Sequence, residues 1–213
     1  MAGRSLESLV AFHCAPTLAG IKPANLFTWH HMSEQSAGNT IDMMRSKLAT
    51  YDVSMDVLCM CERYALLLVY RADLMRKVFT AETEKFMAGY GYPTSADIAL
   101  KIEFLKTRIA AGGDFPHEIG IFLGYPLVDV KGFIEKHGTD FKAGGFWKIY
   151  GDKDKTLALF DSYRRCTEFF CKKLESGCDI TQLLSKLCPN KLEKRTCVAP
   201  CCDSGCRTVH ACI

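Results

Sequence analysis

The fold of this chain is decided around residues 115–134, which read FPHEIGIFLGYPLVDVKGFI. Pro116 suits the first turn of an α-helix, where its missing N–H group costs nothing. Glu118 would then lie in that first turn, where a carboxylate complements the helix dipole. The helix continues with three apolar residues at helical spacing, which predict one buried stripe: Ile119, Phe122 and Leu123.

Two glycines, Gly120 and Gly124, lie four residues apart on another side of this helix. A glycine inside a helix costs about 1 kcal/mol relative to alanine, so the pair predicts close approach of another backbone or of a ligand. The Tyr125-Pro126 dipeptide ends the helix and starts a second one, which is expected to end near Gly138. The segment therefore predicts two short helices joined by a kink.

Two interpretations of His117 and Glu118 follow from this arrangement. In the first, the segment is a tightly packed helical corner with a buried histidine. In the second, both side chains lie at a helix N-terminus that faces a pocket, where anions and reacting groups are favoured. The pair would then act as a base with its orienting carboxylate, or as two metal ligands. The HExxH spacing of zinc sites is absent, so the spacing gives the metal interpretation little support.

Apolar periodicity outside this segment predicts a mixture of helices and strands. Helices are expected over residues 40–50, 74–88, 94–111 with Ser95 as N-cap, 153–174 and 180–187. Strands are expected over residues 26–29, 57–61, 64–70 and 146–150, and the second and third of these form a hairpin. The order of elements predicts an α+β fold, with one small mixed or antiparallel sheet of three to four strands and helices packed on it.

Length and composition predict a single globular α+β domain over residues 1–187, followed by a cysteine-rich tail over residues 188–213. With 213 residues, of which 48% are hydrophobic, the chain can bury a sizeable core. Its net charge of +3 is too small to argue for nucleic-acid binding. No apolar run reaches the length of a membrane span, and the first residues lack the apolar core of a signal peptide. We therefore expect a cytoplasmic protein that binds neither nucleic acid nor membrane.

A second candidate site is the dipeptide His13-Cys14, which precedes Pro16. If Pro16 marks a helix start, the helix dipole stabilises the thiolate of Cys14 and the adjacent histidine assists it. A cysteine thiolate beside a base is the arrangement that nucleophilic catalysis needs. The alternative is that Cys14 is a small buried hydrophobic residue and that the two side chains point in different directions.

Polar and aromatic residues near these motifs are candidates for completing a pocket. The candidate catalytic residues are Cys14, His13, His117 and Glu118. The candidate substrate-binding residues, for which ordinary surface exposure is the alternative, are Lys22, Asn25, Tyr125, Lys148 and Tyr150. The glycine-rich segments lack the lysine and the following Ser or Thr of a phosphate-binding loop, and no dinucleotide-binding fingerprint occurs.

The chain contains twelve cysteines, and five of them crowd its last residues together with His210. In a cytoplasm such cysteines remain reduced or bind metal. Zinc or iron is therefore a candidate ligand of Cys197, Cys201, Cys202, Cys206, His210 and Cys212. No CxxC pair occurs among them, so a tail with reactive thiols is the rival interpretation. Elsewhere, Cys59 and Cys61 alternate along a predicted strand, so both side chains are expected on one face.

Several of these segments together resemble an uncharacterised bacterial family, a domain of unknown function found mostly in anaerobes. The resemblance covers about residues 6–170 and rests on HCAPTLAGIKPANLF (13–27), LLLVYR (66–71), the 115–134 segment, FWKIYGD (146–152) and FDSYRRC (160–166). It implies no assigned activity. It does imply an anaerobic, cytoplasmic setting in which iron and low-potential redox chemistry are common.

From these observations we expect a cytoplasmic protein with a thiol and histidine pocket that acts on a small molecule. The alternatives are a non-catalytic protein that binds a metal or redox cofactor, in particular one related to iron, and an interaction module. The sharpest structural prediction is that His13 or Cys14 shares one pocket with His117 or Glu118. Both motifs place polar residues beside a proline at a predicted helix start, where unpaired N–H groups gather.

Overall fold

The structure, a computed structural model, describes residues 5–31, 33–95 and 97–187. Within these residues the chain forms nine helices: α1 Leu6–Leu18, α2 Glu34–Ala49, α3 Ala72–Val78, α4 Ala81–Ala88, α5 Ile98–Ala110, α6 Ile119–Phe122, α7 Leu127–Glu135, α8 Lys153–Glu175 and α9 Ile180–Leu187. The strands are β1 Ala24–His30, β2 Ser54–Met60, β3 Tyr64–Tyr70, β4 Ala143–Gly144 and β5 Lys148–Ile149. The predicted α+β fold is confirmed, because three strands form one antiparallel sheet on which helices pack.

The three-stranded sheet has the order β1-β3-β2, so β3 is central and pairs antiparallel with both neighbours. The predicted hairpin is thus confirmed as β2 and β3. Leu67 of β3 lies opposite Phe27 in β1 and Val57 in β2. Leu67, Leu68 and Val69 are fully buried, because helices cover both faces of the sheet. This burial on both sides explains the nearly continuous apolar run of β3.

One face of the sheet is covered by α1, α2, α8 and α9. Leu67 and Val69 point to this face and share an apolar cluster with Val10 of α1, Ile41 of α2 and Phe170 of α8. The opposite face, to which Leu68 points, is covered by the helices α3 to α7. The sheet therefore separates two apolar cores, and residues 115–134 belong to the second one.

The kink between α6 and α7 forms as the glycines predict. Gly124 adopts the left-handed backbone region with a φ of +76°, and a Cβ there would collide with the ring of Pro23. A Cβ on Gly120 would lie 2.8 Å from Cγ2 of Val130, so α6 and α7 pack closely at this point. The helical part is shorter than predicted, since α6 begins at Ile119 and is four residues long. His117 and Glu118 therefore precede a single helical turn rather than occupy the first turn of a longer helix.

Residues 141–150 form a short ribbon instead of the predicted five-residue strand. Only Lys148 and Ile149 pair, with Gly144 and Ala143 respectively. A third, smaller cluster lies between this ribbon and α8 and contains Trp147, Ile149, Phe160 and Tyr163. The ribbon thus connects the second core to α8.

The prediction that a helix begins at Pro16 is wrong. Ser5 caps α1 by accepting a hydrogen bond from the Ser8 N–H, and Pro16 lies near the C-terminal end of this helix. Cys14 therefore lies far from the positive end of the helix dipole.

Side-chain caps also move three other predicted boundaries. Ser33 caps α2, which begins six residues before the predicted start at residue 40. Thr80 caps α4 and so divides the predicted helix 74–88 into α3 and α4. Asp97, not Ser95, caps α5, and Ser95 has a φ of +53° in the preceding turn.

Candidate functional site

A buried carboxylate fixes the ribbon against α7. Asp129 Oδ1 accepts hydrogen bonds from the backbone N–H groups of Tyr150 and Gly151, at 2.8 and 2.7 Å. Its Oδ2 accepts a hydrogen bond of 2.8 Å from Nε1 of Trp147. Asp129 is only 2% exposed, so these three donors compensate the cost of burying its charge. The indole of Trp147 is thereby held in one position next to α7.

This anchoring leaves an aromatic cavity between α6, α7 and the ribbon. The cavity has a volume of about 380 Å³. Its polar lining residues are His117, Asp129 and Lys148. Aromatic and small residues form the rest of the wall: Ile119, Gly120, Tyr125, Val130, Phe133, Phe141, Gly144, Gly145, Phe146 and Trp147.

The aromatic rings that line the cavity contact one another. Tyr125 stacks on Trp147 with centroids 4.3 Å apart, and Phe160 contacts Trp147 edge-on with centroids 4.5 Å apart. The ring of His117 meets Phe133 edge-on at 4.8 Å. Such contacts hold large apolar surfaces in fixed orientations.

Lys148 lies at the rim of the aromatic cavity. Its Nζ donates a hydrogen bond of 2.7 Å to the Gly138 carbonyl. The same ammonium lies 4.9 Å from the ring centroid of Phe141 and 5.6 Å from that of Phe133. The charge of Lys148 is therefore fixed among aromatic rings, where cation–π attraction favours it.

Glu118 does not line the aromatic cavity, although it is adjacent to His117 in the chain. Its carboxylate is 2% exposed and forms a salt bridge with Nε of Arg108 at 2.5 Å. Tyr92 donates a hydrogen bond of 3.2 Å to the same oxygen, Oε1. Burial, followed by the charge of Glu118, raises the pKa of Tyr92, so this phenol keeps its proton. Glu118 thus connects α5 to the start of α6 and is not placed to orient His117.

A second cavity, the lysine cavity, lies beside the first and has a volume of about 400 Å³. It shares Tyr125 and Phe146 with the aromatic cavity. Its other lining residues are Phe12, His13, Lys22, Asn25, Leu26, Leu123, Arg164, Thr167 and Glu168. The predicted residues His13, Lys22 and Asn25 are therefore brought together here.

Lys22 is the most unusual group of the lysine cavity. It is 2% exposed, and its Nζ donates a hydrogen bond of 2.8 Å to the Ala24 carbonyl. No carboxylate of the described residues forms a salt bridge with it. Burial lowers the pKa of Lys22 from its ordinary value of 10.5 to about 7. A substantial fraction of this amine is therefore neutral at physiological pH.

Cys14 lines neither cavity. It is fully buried in the first core, and burial raises the pKa of its thiol more strongly than the nearby Lys22 lowers it. Burial disfavours the thiolate of Cys14 that a nucleophile needs, and the position of Cys14 late in α1 leaves this thiolate without stabilisation by the helix dipole. The alternative interpretation, that Cys14 is a small buried hydrophobic residue, describes this environment.

The predicted single pocket is replaced by two neighbouring cavities. His13 stacks on Phe27 with centroids 5.3 Å apart and lines the lysine cavity, whereas His117 lines the aromatic cavity. Tyr125 and Phe146 form the wall that both cavities share. The two histidine motifs thus lie in one region of the molecule, but the structure does not place them in one pocket.

Two other predicted binding residues have partners within the fold. Asn25 lines the lysine cavity while its Oδ1 accepts a hydrogen bond of 2.7 Å from Thr17. Tyr150 lies outside both cavities, where its hydroxyl donates to the Thr139 carbonyl at 2.9 Å. A Cβ on Gly132 would collide with the Tyr150 ring, so this side chain packs on α7.

The predicted metal ligands, Cys197, Cys201, Cys202, Cys206, His210 and Cys212, lie outside the described residues. Among residues 5–187, leaving out the undescribed Met32 and Ala96, no group of three or more His, Cys, Asp or Glu side chains is arranged to hold a metal ion. The zinc or iron prediction for the tail therefore stays a prediction.

Several lining residues were not identified from the sequence. They are Asp129, Phe133, Phe141, Phe146 and Trp147 in the aromatic cavity, and Arg164, Thr167 and Glu168 in the lysine cavity. The segment FKAGGFWKIY, residues 141–150, did carry a signal, because four aromatic residues surround a pair of glycines. Thr167 and Glu168 of α8 carried none, since they belong to an ordinary amphipathic helix, whereas Arg164 belongs to FDSYRRC (160–166), one of the segments that carry the family resemblance.

A family model described as protein of unknown function (DUF3793) matches residues 10–184. The chain belongs to this family. The match includes both cavities and confirms the resemblance to an uncharacterised domain family. No curated protein and no solved structure matches the chain.

Over the part of the chain that the structure describes, no helix is both long and apolar enough to cross a membrane.

Proposed function

We propose that the protein binds a small molecule with a flat, largely apolar body in the aromatic cavity. The observation that carries this proposal is the concave wall of packed rings around an open volume of about 380 Å³. Cavities that bind small molecules have volumes of about 300 to 1,000 Å³ and combine apolar walls with a few polar groups. The aromatic cavity has both properties.

The polar groups at the rim favour a ligand with an anionic or hydrogen-bond-accepting substituent. His117 is exposed and lines the cavity beside Phe133. Lys148 adds a positive charge whose position is fixed by the Gly138 carbonyl. The carboxylate of Asp129 is already occupied by three donors, so it opposes an anion less than an unpaired carboxylate would.

The cavity is held in shape before any ligand binds. Asp129 fixes the indole of Trp147, and Phe160 contacts the same ring edge-on. The close contact between Gly120 and Val130 fixes α6 against α7. A wall that is already ordered loses little entropy on binding, which favours affinity.

The test uses 1-anilinonaphthalene-8-sulfonate, an anion with a flat, apolar naphthalene body, whose fluorescence rises in an apolar site. Replacing Gly144 by leucine places a side chain at the cavity, since a Cβ there would meet only Cε2 of Phe141, at 3.6 Å. We expect Gly144→Leu to weaken binding about tenfold or more, equivalent to about 1.4 kcal/mol.

The matched control is Gly38→Leu on α2, where a Cβ would meet no atom within 4 Å. We expect this variant to bind the probe as the wild type does. Both variants should melt cooperatively near the wild-type temperature, which excludes binding to a partly folded chain. Equal affinities of the two leucine variants would overturn the proposal.

A second candidate function is chemistry at Lys22, favoured by the neutral amine that burial produces beside the lysine cavity. A neutral lysine amine adds to aldehydes and ketones to form a Schiff base. Incubation with propanal and sodium cyanoborohydride at pH 7 should then modify Lys22 faster than the exposed Lys153. Mass mapping that finds Lys153 modified first would exclude this candidate.

The metal or redox-cofactor alternative and the interaction module are not favoured by any described residue. The former depends on the cysteines of the tail, which lie outside the described residues. A cytoplasmic location likewise remains a prediction of the sequence, and a bacterial, anaerobic setting remains a prediction of the resemblance.

A further inference from the structure

Two cysteines at the end of the sheet have their sulfur atoms in contact. Cys59 Sγ and Cys61 Sγ are 3.6 Å apart, and both residues are partly buried with free thiols. The contact confirms the expectation that the two side chains lie on one face. Neither cysteine lines the aromatic cavity or the lysine cavity, and the small-molecule proposal does not use them.

An irregularity in β2 determines where this pair lies. Val57 lies opposite Leu67, but Cys59 lies opposite Leu66, so Leu58 is an extra residue in β2. Without this bulge Cys59 would lie opposite Ala65, which is fully buried in the first core. The bulge moves the side chain to the other face, and bulges of this kind often re-aim a functional side chain.

The position of the pair in the fold gives it access to solvent and freedom to move. β2 is an edge strand, since the sheet order is β1-β3-β2. Cys61 follows the last residue of β2, and its N–H donates to the Tyr64 carbonyl at 2.9 Å across the hairpin turn. Residues 62 and 63 of this turn and Tyr64 at the start of β3 are exposed. The second cysteine thus belongs to a turn, where the backbone adjusts more readily than within a strand.

We propose that Cys59 and Cys61 form a dithiol that closes reversibly to a disulfide by exchange with a low-molecular-weight disulfide. Two residues of chain span at most about 7 Å between Cα atoms. Disulfides require a Cα separation of about 4.4 to 6.8 Å. Closure therefore needs only a small contraction of the turn and a rotation of the two side chains.

The exchange proceeds in two balanced steps. The thiolate of Cys61 attacks one sulfur of the small disulfide, which forms a mixed disulfide and releases one small thiolate. Cys59 then loses its proton and attacks the sulfur of Cys61, which releases the second small thiolate. The two cysteines lose two electrons, the small disulfide is reduced to two thiols, and these take up the two cysteine protons.

The order of attack follows from the environment of the two thiols. Burial, and after it the hydrogen bond and charge of Cys61, raises the pKa of Cys59. Cys61 begins the exposed hairpin turn, whereas Cys59 lies within β2. A small disulfide therefore reaches Cys61 at the turn first, so Cys61 is assigned as the attacking residue and Cys59 as the resolving residue.

The test uses the reduced full-length chain, treated with glutathione disulfide, alkylated at intervals and digested with trypsin. Cys59 and Cys61 fall together in residues 48–63, LATYDVSMDVLCMCER, which contain no other cysteine. We expect this peptide to resist alkylation at both cysteines and to be lighter than the reduced peptide by two hydrogen atoms. Dithiothreitol should restore the original mass.

An internal control is the peptide CTEFFCK, residues 166–172, which also contains two cysteines. Cys166 and Cys171 are five residues apart on α8, and residues five apart do not face each other on a helix. We expect the 48–63 peptide to form its internal disulfide at least about tenfold faster than this peptide. Equal rates, or two separate glutathione adducts on Cys59 and Cys61, would overturn the proposal.

Single variants distinguish a resolving pair from two independent thiols. In Cys59→Ser, the glutathione adduct on Cys61 should persist, because no second thiol displaces it. In Cys61→Ser, adduct formation on Cys59 should be slower than closure in the wild type. A disulfide between the 48–63 peptide and a cysteine of another peptide as the main product would also overturn the proposal.

Discussion

His117 and Glu118 are neighbours in the chain, yet their side chains occupy opposite kinds of environment. Glu118 is buried and bound to Arg108 and Tyr92 within the fold. His117 is exposed and lines the aromatic cavity. A buried carboxylate that is bound to two groups of the fold has a structural role, because a ligand would have to displace those groups. The chemistry available to a ligand therefore lies on the His117 side.

Asp129 combines the two environments: it lines the aromatic cavity as His117 does, but its carboxylate is bound within the fold as that of Glu118 is. We expect Asp129→Ala to have the largest effect and to lower the free energy of unfolding by about 4 kcal/mol, because three donors lose a charged acceptor. Urea denaturation measures this effect.

The control for Asp129→Ala is Asp161→Ala on α8, whose carboxylate forms exposed salt bridges with Arg164 and Arg165. Exposed pairs of this kind contribute less than about 1 kcal/mol. If both alanine variants lose the same small amount of stability, Asp129 is not the anchor of the ribbon.

The replacement Glu118→Gln tests the other side of the comparison. It keeps the shape of the side chain but removes the charge that Arg108 and Tyr92 contact. We expect a loss of about 2 kcal/mol in the free energy of unfolding and unchanged affinity for the anilinonaphthalene probe. Glu103→Gln, on the exposed pair with Lys106, is the matched control. Loss of probe binding at wild-type stability would place Glu118 in the site instead.

Lys22 provides a third test through the pH dependence of stability. Burial gives the folded state a pKa of about 7 against an ordinary 10.5, so the unfolded state binds more protons between these values. Stability must then rise with pH in this window, by at most about 1.4 kcal/mol per pH unit. We expect the wild type to gain stability relative to Lys22→Met between pH 7 and pH 9. Urea denaturation curves whose difference is constant over this range would contradict the assignment.

The smallest effect on stability is expected for His117→Ala, below about 0.5 kcal/mol, because the side chain is exposed. The same variant should weaken binding of the anilinonaphthalene probe several-fold, since the imidazole is one of two polar groups at the rim. Trp29→Phe leaves Trp147 as the one tryptophan of the chain, so quenching of its fluorescence reports the probe at the cavity wall. Unchanged quenching in the double variant would remove His117 from the site.

Local features of the sequence determined much of the fold. The run YALLLVY predicted a strand of the hairpin, and Gly120, Gly124 and Pro126 predicted the corner between α6 and α7. These predictions depend on backbone conformation and on burial of adjacent residues, which are local properties. The prediction of a helix start at Pro16 was wrong because it also used local sequence alone. Tertiary packing can hold a proline late in a helix, as it does in α1.

Only the tertiary structure decided which polar residues belong to a site. Glu118 is bound within the fold because Arg108, ten residues away in the chain, forms a salt bridge with it. The thiol of Cys14 keeps its proton because the first core encloses it. The pKa of Lys22 likewise depends on the burial that packing produces. Residue type and spacing do not encode desolvation or distant partners, since both arise when separate elements pack together. The sequence therefore determined the candidate residues, and packing determined which of them remain open to a ligand.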